Sequence, residues 1–417
     1  MTLGFFSKKE IQLTERPDGK HLSCISCGLF KGDIEHPKLA ASGNFKKGIL
    51  NIGEFTTAWD DRKGKQFQSK QDILLYDTYR ELGIDLEEDC LNVNAVMCFP
   101  YNHKTGKPRI PTAHEIQCCR LKMLALIKRH KPKVIVVFGK VALESIIGFR
   151  WKKGLGSIDK WRGWAIPDQY FKSWVCPTFS PSYVASQDSK AVQLIWKQDL
   201  EHAIKHVDKP FRKFIEPKIT VLEKNLKPLY QIKNMTRCAF DYETTGLKSH
   251  AKGQKIICAS IADSINHVFV FMLLNKKMEP ISEKKLKPFK RFLINKHIPK
   301  VAQHLKFEEN WTYNKYGVHV KGWVHDTMYW THIFDNRTGI TGLKFQAYVL
   351  FGIDAYDEDV ADYIKAKNSN DLNKMIKLVS TKRGKNACLK YCGWDSIIEL
   401  RLAELQEEMY IERVLPF

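Results

Sequence analysis

The stretch FDYETTGL, residues 240–247, places the carboxylates of Asp241 and Glu243 two positions apart on a predicted strand. Side chains at this spacing lie on the same face of a sheet, so both can converge on one hard cation. Two divalent ions about 3.5–4 Å apart, set to activate a water and hold a leaving alkoxide, need several carboxylates. The candidates for the remaining ones are Glu308 in AQHLKFEEN and Asp395 in YCGWDSIIEL.

Tyr391 lies four positions before Asp395, which on a helix puts both side chains on one face, where the phenol can orient an attacking water. Each signal is weak alone, because an Asp-x-Glu triplet is usually solvated surface and a Tyr–Asp pair is common on helices. Their order is more specific. Residues 255–262 and 267–274 indicate a β-hairpin, so a strand pair, a hairpin, a central carboxylate and a helical Tyr–Asp pair follow one another.

Residues 236–410 therefore resemble the 3′–5′ proofreading exonuclease domain of family A DNA polymerases, in its tyrosine-containing DEDDy variant. The resemblance implies an RNase H-like fold in which Asp241, Glu243 and Asp395 hold two Mg²⁺ or Mn²⁺ ions and Tyr391 positions the attacking water. It also implies that the substrate is DNA with a single-stranded or frayed 3′ end.

The second motif of that family reads Asn-Leu-Lys-Tyr-Asp, and residues 304–308 match it as HLKFE, with Glu308 in the aspartate position. The extra methylene moves the carboxylate by about 1 Å, which can cost ~100-fold in rate if the group is held rigidly. A carboxylate that acts through a metal-bound water tolerates the change, so we expect an active exonuclease. The match continues with Asp326, to which we assign a structural role, and with residues 342–344 (GLK), which begin a helix near the DNA in that family. We expect aromatics such as Phe307 and Trp311 near the terminal bases.

The first half of the chain has its own constellation of cysteines. Cys24 and Cys27 form a C-x-x-C, and Cys98 and Cys118 stand at either end of a 21-residue segment. Four thiolates at these spacings can bind zinc, an iron–sulfur cluster or no metal, and the spacing alone does not separate these cases.

The sequence around these cysteines resembles, over about residues 20–205, the iron–sulfur uracil-DNA glycosylases, family four of that superfamily. The matching blocks are residues 53–67, 92–98, 109–118, 134–138 and 177–184. The resemblance implies a three-layer α/β/α domain with a 4Fe-4S cluster, zinc being the alternative. The implied ligands are Cys24, Cys27, Cys98 and Cys118, although Cys119 adjoins the last of them and can replace it.

Within the same resemblance, Asn94 matches the asparagine that reads a flipped uracil and Phe67 the aromatic that stacks on it. An amide can pair with both a donor and an acceptor on a base edge, and a ring supplies a stacking face. Gly53, Glu54 and Ser180 complete the implied base-binding set.

Two departures from that family bear on glycosylase chemistry. Residues 53–57 read GEFTT where the family has Gly-Glu-Ala-Pro-Gly, and residues 180–182 read SPS where it has His-Pro-Ser. The missing imidazole would stabilise the departing uracil anion, and loss of one such donor typically costs ~10²–10³ in rate, although a serine can still donate. Either the domain excises uracil, or it is a base-sensing or DNA-binding module.

Composition agrees with a nucleic-acid enzyme. The 417 residues are enough for two or three domains, and 44% hydrophobic with 27% charged residues are globular values. A net charge of +21 favours nucleic acid as the partner. No apolar run approaches the ~18 residues of a membrane span, and MTLGFFSKKE has no signal-peptide pattern. We therefore expect no membrane association and a cytoplasmic protein, in the host cytoplasm if a bacteriophage encodes it.

We predict an α/β chain with a uracil-DNA glycosylase-like domain over residues 1–206, a basic linker over 207–235 and an RNase H-like exonuclease domain over 236–417. The predicted function is two-metal-ion 3′–5′ DNA exonuclease activity in proofreading or replication. The alternatives are an active uracil-DNA glycosylase in repair and a non-catalytic accessory subunit of a family A polymerase. Because the sequence contains no polymerase motifs, we expect the polymerase to be a separate polypeptide or the chain to be a fragment.

Overall fold

A computed structural model describes residues 22–102, 104–151 and 153–414. The segment MTLGFFSKKE, on which the expectation about secretion rests, lies outside them. The chain forms two compact units: the first ends at Phe214 and also includes Tyr348–Asp354, and the second comprises Ile215–Ala347 and the residues from Ala355 onward. Both units are α/β, which confirms the predicted fold class.

The first unit is built on a five-stranded sheet. Its strands are β1 (Ile49–Phe55), β2 (Cys90–Val96), β3 (Val134–Phe138), β4 (Ile166–Asp168) and β5 (Ser173–Thr178). Its helices are α1 (Cys24–Cys27), α2 (Ala58–Lys63), α3 (Ile73–Glu81), α4 (Ala113–His130), α5 (Gly139–Ile146), α6 (Ile158–Trp161), α7 (Pro181–Ser186) and α8 (Lys190–Ile204). The strand order is β2–β1–β3–β5–β4, and only β4 is antiparallel to its neighbour.

The apolar run VIVVF explains the centre of this sheet. All five of its residues are fully buried, as expected for a parallel strand covered on both faces. The predicted strand Val134–Phe138 is thus confirmed. In such sheets ligands bind beyond the carboxyl ends of the strands, and Gly53 and Asn94, paired across β1 and β2, lie near those ends.

The second unit is built on a six-stranded sheet. Its strands are β6 (Lys218–Val221), β7 (Cys238–Thr244), β8 (Ile256–Ser264), β9 (His267–Met272), β10 (Lys300–Ala302) and β11 (Trp323–Asp326). The helices that follow β9 in the chain are α9 (Glu283–Ile294), α10 (Lys306–Tyr316), α11 (Thr327–Phe334), α12 (Leu343–Phe351), α13 (Ala361–Ile364), α14 (Met375–Val379) and α15 (Lys382–Val414). Helix α12 contributes residues to both units.

The strands of this sheet are ordered β11–β10–β7–β8–β9–β6. β8 and β9 pair antiparallel, which confirms the predicted hairpin. The preceding strand, β7, extends to Thr244 because residues 239–244 pair with β8, so Asp241 and Glu243 both lie on it. The segment 207–235, predicted as a linker, contributes β6, which pairs in parallel with β9 at the edge of the sheet.

Helix α15 packs against the middle of this sheet and carries two of the predicted site residues. A Cβ at Gly393 would lie 2.8 Å from Val270 Cγ1, so glycine lets the helix approach the strands closely. Cys388, Cys392 and Ile397 of the helix are fully buried in the same core. None of the helices in the described part of the chain is both long and apolar enough to cross a membrane.

Candidate functional site

The predicted carboxylates of the second unit come together in one group, here called the carboxylate cluster: Asp241, Glu243, Glu308 and Asp395. The ligand atoms of Asp241 and Glu243 lie within 4.8 Å of each other and of the sulfur of Cys392. Glu308 on α10 and Asp395 on α15 are buried and close enough to act electrostatically on Asp241. Four acids from three elements therefore share one neighbourhood.

Burial is the main cause of the raised pKa values of three carboxyl groups in this cluster. It raises the pKa values of Asp241, Glu243 and Glu308 well above their usual range, and the neighbouring carboxylates raise them further. Removal of carboxylates from water without an equal number of cations is unfavourable. The arrangement thus favours binding of additional positive charge.

Lys344 is the cation that contacts the cluster. Its Nζ donates to both carboxylate oxygens of Asp395 at 2.7 Å and to the hydroxyl oxygen of Tyr391 at 2.7 Å. Burial lowers the pKa of Lys344, but Asp395, Glu243 and Asp241 outweigh it and raise the pKa above the usual value. The Tyr356 hydroxyl also donates to Asp395, at 2.6 Å. The GLK match placed Lys344 only at a helix near the DNA, whereas in the structure Lys344 contacts Asp395 and Tyr391 directly.

The segment around Glu308 shows which neighbouring groups are structural. Asp326 caps the start of α11 and accepts hydrogen bonds from the backbone N–H groups of His304 and Leu305, so it holds the entry to α10 in place. Trp311 is 1% exposed and packs in the core, so the expectation that it lies near terminal bases is wrong. Glu308 Oε2 is buried with no hydrogen-bond partner among the described residues.

Sequence reasoning missed Glu399, a fifth buried carboxylate. It lies on α15 one turn after Asp395, is 1% exposed and acts electrostatically on the cluster. The signal was present in the sequence, because Tyr391, Asp395 and Glu399 follow at four-residue spacing and so share one helix face. Cys392, the residue after Tyr391, was also missed.

These residues fit divalent metal ions. Carboxylate oxygens are the ligands that Mg²⁺ and Mn²⁺ prefer, and Glu308 Oε2 is an orphaned buried oxygen of the kind that a cation satisfies. Asp241 and Glu243 offer oxygens at chelating separation.

The cysteines of the first unit also come together. A small pocket, here called the thiol pocket, is lined by sulfur-bearing residues, two lysines and an aromatic ring: Cys24, Cys27, Phe30, Lys38, Met97, Cys98, Cys118, Cys119 and Lys122. The backbone N–H of Lys38 donates to Cys98 Sγ at 3.2 Å. Several thiols, nearby ammonium groups and an N–H···S bond suit an anionic iron–sulfur cluster.

Both candidates for the fourth cluster ligand line the thiol pocket. Cys118 Sγ lies 3.5 Å from Ser26 Oγ and 3.7 Å from His114 Nε2. Burial raises the pKa of the Cys119 thiol to about 12. Because Cys118 and Cys119 are adjacent on α4, the assignment of Cys118 as the fourth ligand stays a prediction, which mutagenesis can test.

The five predicted base-binding residues line one pocket of about 70 Å³, here called the base pocket: Gly53, Glu54, Phe67, Asn94 and Ser180. Asn94 is 3% exposed, and its amide interacts with the carboxylate of Asp60, whose pKa it lowers against the larger opposing effect of burial. A Cβ at Gly53 would lie 2.2 Å from Asn94 Oδ1, so only glycine fits beside this amide. The Phe67 ring packs edge-on against Phe138 with centroids 6.0 Å apart.

The two groups that catalysis would use in the base pocket, Glu54 and Ser180, already form hydrogen bonds within the protein. Glu54 accepts hydrogen bonds from the backbone N–H of Val141, at 3.1 Å, and from the Ser180 hydroxyl. Burial raises its pKa despite these bonds. Ser180 also caps α7 by accepting from the N–H of Tyr183. In the segment GEFTT, which departs from the family motif, Thr57 caps α2.

Comparison with known proteins gives two families along the chain. Residues 41–205 match the model of the uracil DNA glycosylase superfamily, and residues 219–409 match that of the 3′-5′ exonuclease domain. A type-4 uracil-DNA glycosylase of Thermotoga maritima is 34% identical over 186 residues, which are 45% of this chain and 90% of the relative. A type-4 enzyme of Archaeoglobus fulgidus is 29% identical over 125 residues, which are 30% of this chain and 59% of the relative.

Among solved structures, Brucella melitensis NrnC matches with a TM-score of 0.36 and 18% identity, covering 47% of this chain and 83% of that chain. The sequence matches are consistent with the two folds and with the site geometry. By its first half the chain therefore belongs to the type-4 uracil-DNA glycosylase family, and the match of residues 219–409 to the 3′-5′ exonuclease model supports a nuclease.

Proposed function

We propose that the protein removes nucleotides from single-stranded or frayed 3′ ends of DNA with two divalent metal ions, in a proofreading or replication role beside a separate DNA polymerase in a cytoplasm. The carboxylate cluster supports this proposal most directly, because its buried acids outnumber the cations around them. The positive net charge of +21 suits a polyanionic substrate.

The proposed roles follow from the geometry. Asp241, Glu243 and Asp395 hold the ions, which when bound supply a Lewis acid for the attacking water and for the leaving oxygen. Lys344 donates to the hydroxyl oxygen of Tyr391, so the tyrosine O–H proton remains available to orient the water on the phosphorus. Glu308 contributes the remaining carboxylate of the family pattern.

Release of mononucleotides from a 3′-labelled oligonucleotide in Mg²⁺ or Mn²⁺ tests this proposal. We expect release by the full chain and its loss in Asp241→Ala, with exposed Asp188→Ala as the matched control. If the unmodified chain releases nothing with either ion, the exonuclease proposal is wrong. Co-purification from the native host tests the polymerase partner.

We propose for the first unit a base-sensing role, supported by the buried Asn94 amide and the Phe67 ring, which both line the base pocket. Uracil excision is the competing function. In an Asp241→Ala background, tighter binding of uracil-containing DNA than of the thymine analogue, lost in Asn94→Ala, supports base sensing. Alkali-sensitive sites at uracil would instead support excision, and equal binding of both DNAs without cleavage contradicts both.

We propose a 4Fe-4S cluster in the thiol pocket. Anaerobic purification should give a brown protein with visible charge-transfer absorbance, whereas a colourless, zinc-loaded protein contradicts the assignment. Cys118→Ser should lose the colour and Cys119→Ser should keep it. The opposite pattern would move the fourth ligand to Cys119.

A further inference from the structure

Glu399 lies beside the carboxylate cluster but belongs to none of the motifs that led to it. We propose that Glu399 is a fifth carboxylate of the exonuclease metal site and acts there together with Glu308. This inference rests on the proposed two-metal function. It adds a residue that neither the family motifs nor the matched pattern assigns.

The position of Glu399 supports this assignment. It is 1% exposed, and it follows Asp395 by four residues on α15, so both side chains lie on the face of the helix turned to β7. The carboxylate accepts a hydrogen bond from the backbone N–H of Gln303, at the end of β10. Its Oε2 atom has no hydrogen-bond partner in the described part of the chain.

The charges around Glu308 and Glu399 favour the binding of a cation. The strongest charge effects on Glu399 come from Asp241, Glu308 and Asp395, all acidic. The strongest charge effects on Glu308 come from Asp241, Asp326 and Asp395, which are likewise acidic. Lys344, the basic group of the site, has its hydrogen bonds on Asp395 and Tyr391. Two buried carboxylates, each with a free oxygen, therefore face other carboxylates, an arrangement that a bound divalent ion stabilises.

A purely structural role makes the opposite prediction from a metal role. If Glu399 serves only to accept the Gln303 N–H, then Glu399→Gln keeps an acceptor of the same size and changes little. If it faces a metal ion, the same substitution also removes a ligand, so metal binding weakens and the stability gained on metal addition falls.

The test uses the full chain with Glu399→Gln and, as a matched control on the same helix, exposed Glu408→Gln. Calorimetric titration with Mn²⁺ and thermal unfolding with EDTA or Mn²⁺ are measured beside 3′-end release. We expect Glu399→Gln to raise the Kd for Mn²⁺ at least tenfold and to reduce the Tm gain on Mn²⁺ addition. The control should match the unmodified chain.

An unchanged Kd, or an unchanged Tm gain, overturns the assignment of Glu399. Failure of the larger proposal has a different signature, because the unmodified chain would then neither bind Mn²⁺ nor release nucleotides. If the unmodified chain does both and Glu399→Gln behaves like it, only the present inference is wrong.

A second observation, independent of the metal site, concerns a cleft of about 840 Å³ in the second unit. Six lysines and one acid, Glu223, are the charged residues that line this basic cleft: Lys224, Lys276, Lys277, Lys285, Lys382 and Lys385. None of these lysines takes part in the lysine ion pairs found among the described residues.

We infer that the cleft binds the phosphates of single-stranded DNA upstream of the 3′ end. Lys385 precedes Asp395 by ten residues, or about 15 Å of helix, a distance that a few nucleotides span.

Substitution of two cleft lysines tests this inference. Lys382→Glu with Lys385→Glu should raise KM for a 12-nucleotide substrate at least tenfold more than for a dinucleotide and should reduce the salt dependence of binding. Lys284→Glu with Lys287→Glu, on the exposed face of α9, makes the same change in net charge outside the cleft. Equal effects of the two double variants, or equal effects on both substrate lengths, overturn the inference.

Discussion

In the exonuclease site, Glu308 and Glu399 are each buried with one oxygen left without a partner among the described residues, whereas in the base pocket Glu54 and Ser180 bind each other and nearby backbone amides. A buried polar group without a partner is costly and needs an explanation such as a missing ion or ligand. The exonuclease site therefore favours the binding of cations, whereas the acid and the hydroxyl of the base pocket already have hydrogen-bond partners. The Asn94 amide of the base pocket likewise has a neighbour, because it interacts with the Asp60 carboxylate.

The largest effect should come from removal of Lys344, whose ammonium pairs with Asp395 in the exonuclease site. Lys344→Met leaves Asp395 buried without its ion pair, and loss of one partner of a buried pair typically costs about 3–5 kcal/mol. We therefore expect the free energy of unfolding in EDTA to fall by that amount and Mn²⁺ to restore part of it. Urea unfolding of Lys344→Met measures both, with exposed Lys377→Met as the control. A loss that Mn²⁺ leaves unchanged would argue against a metal at Asp395.

Restoring the imidazole of the family motif tests whether its absence limits uracil excision in the base pocket. Ser180→His supplies the donor that the type-4 pattern has at this position, and such a donor is worth ~10²–10³ in rate. We expect uracil excision to rise by that factor in an Asp241→Ala background, scored as alkali-sensitive sites. Ser180→Ala controls for loss of the helix cap. No gain over Ser180→Ala would show that more than the imidazole is missing.

The comparison also shows what sequence could and could not predict. Asp241 and Glu243 were predictable because strand periodicity alone puts them on one face. The strand Val134–Phe138 was predictable because a fully buried parallel strand is continuously apolar. The role of Lys344 was not, since its contact with Asp395 joins residues 51 positions apart and arises only from packing.

Two other residues show how burial decides what a motif neighbour does. Trp311 follows the second motif, where an aromatic can stack on bases, yet it fills the core beneath α10. Glu399 had a readable four-residue spacing from Asp395, but the same spacing is common on solvated helices. Only its burial beside other acids distinguishes it.

A third prediction concerns pH and a buried acid that lines the base pocket. Burial raises the pKa of Asp72 from 3.8 to about 6 in the folded chain. Because the folded value is the higher one, the stability that this group contributes is present below about pH 4 and is lost as pH rises through 6. Asp72→Asn should therefore be more stable than the unmodified chain by up to about 3 kcal/mol at pH 8.

Denaturant unfolding at pH 4.5 and at pH 8 measures this difference, which should shrink toward the lower pH. Asp77→Asn, on the exposed face of α3, provides the control. A stability difference that is the same at both pH values would mean that the Asp72 carboxyl does not change its ionisation on folding.

The smallest effect should come from Thr57, which replaces a glycine of the glycosylase motif. Its hydroxyl accepts from the Asp60 N–H while the Asp60 carboxylate accepts from the Thr57 N–H, a reciprocal cap at the start of α2. Thr57→Ala should lower the free energy of unfolding by about 1 kcal/mol and leave the affinity for uracil-containing DNA unchanged. Thr57→Ser keeps the cap and should behave as the unmodified chain. If Thr57→Ala instead changes the DNA affinity more than tenfold, the departure from the family motif alters recognition, and the base pocket has changed in more than its acid and hydroxyl.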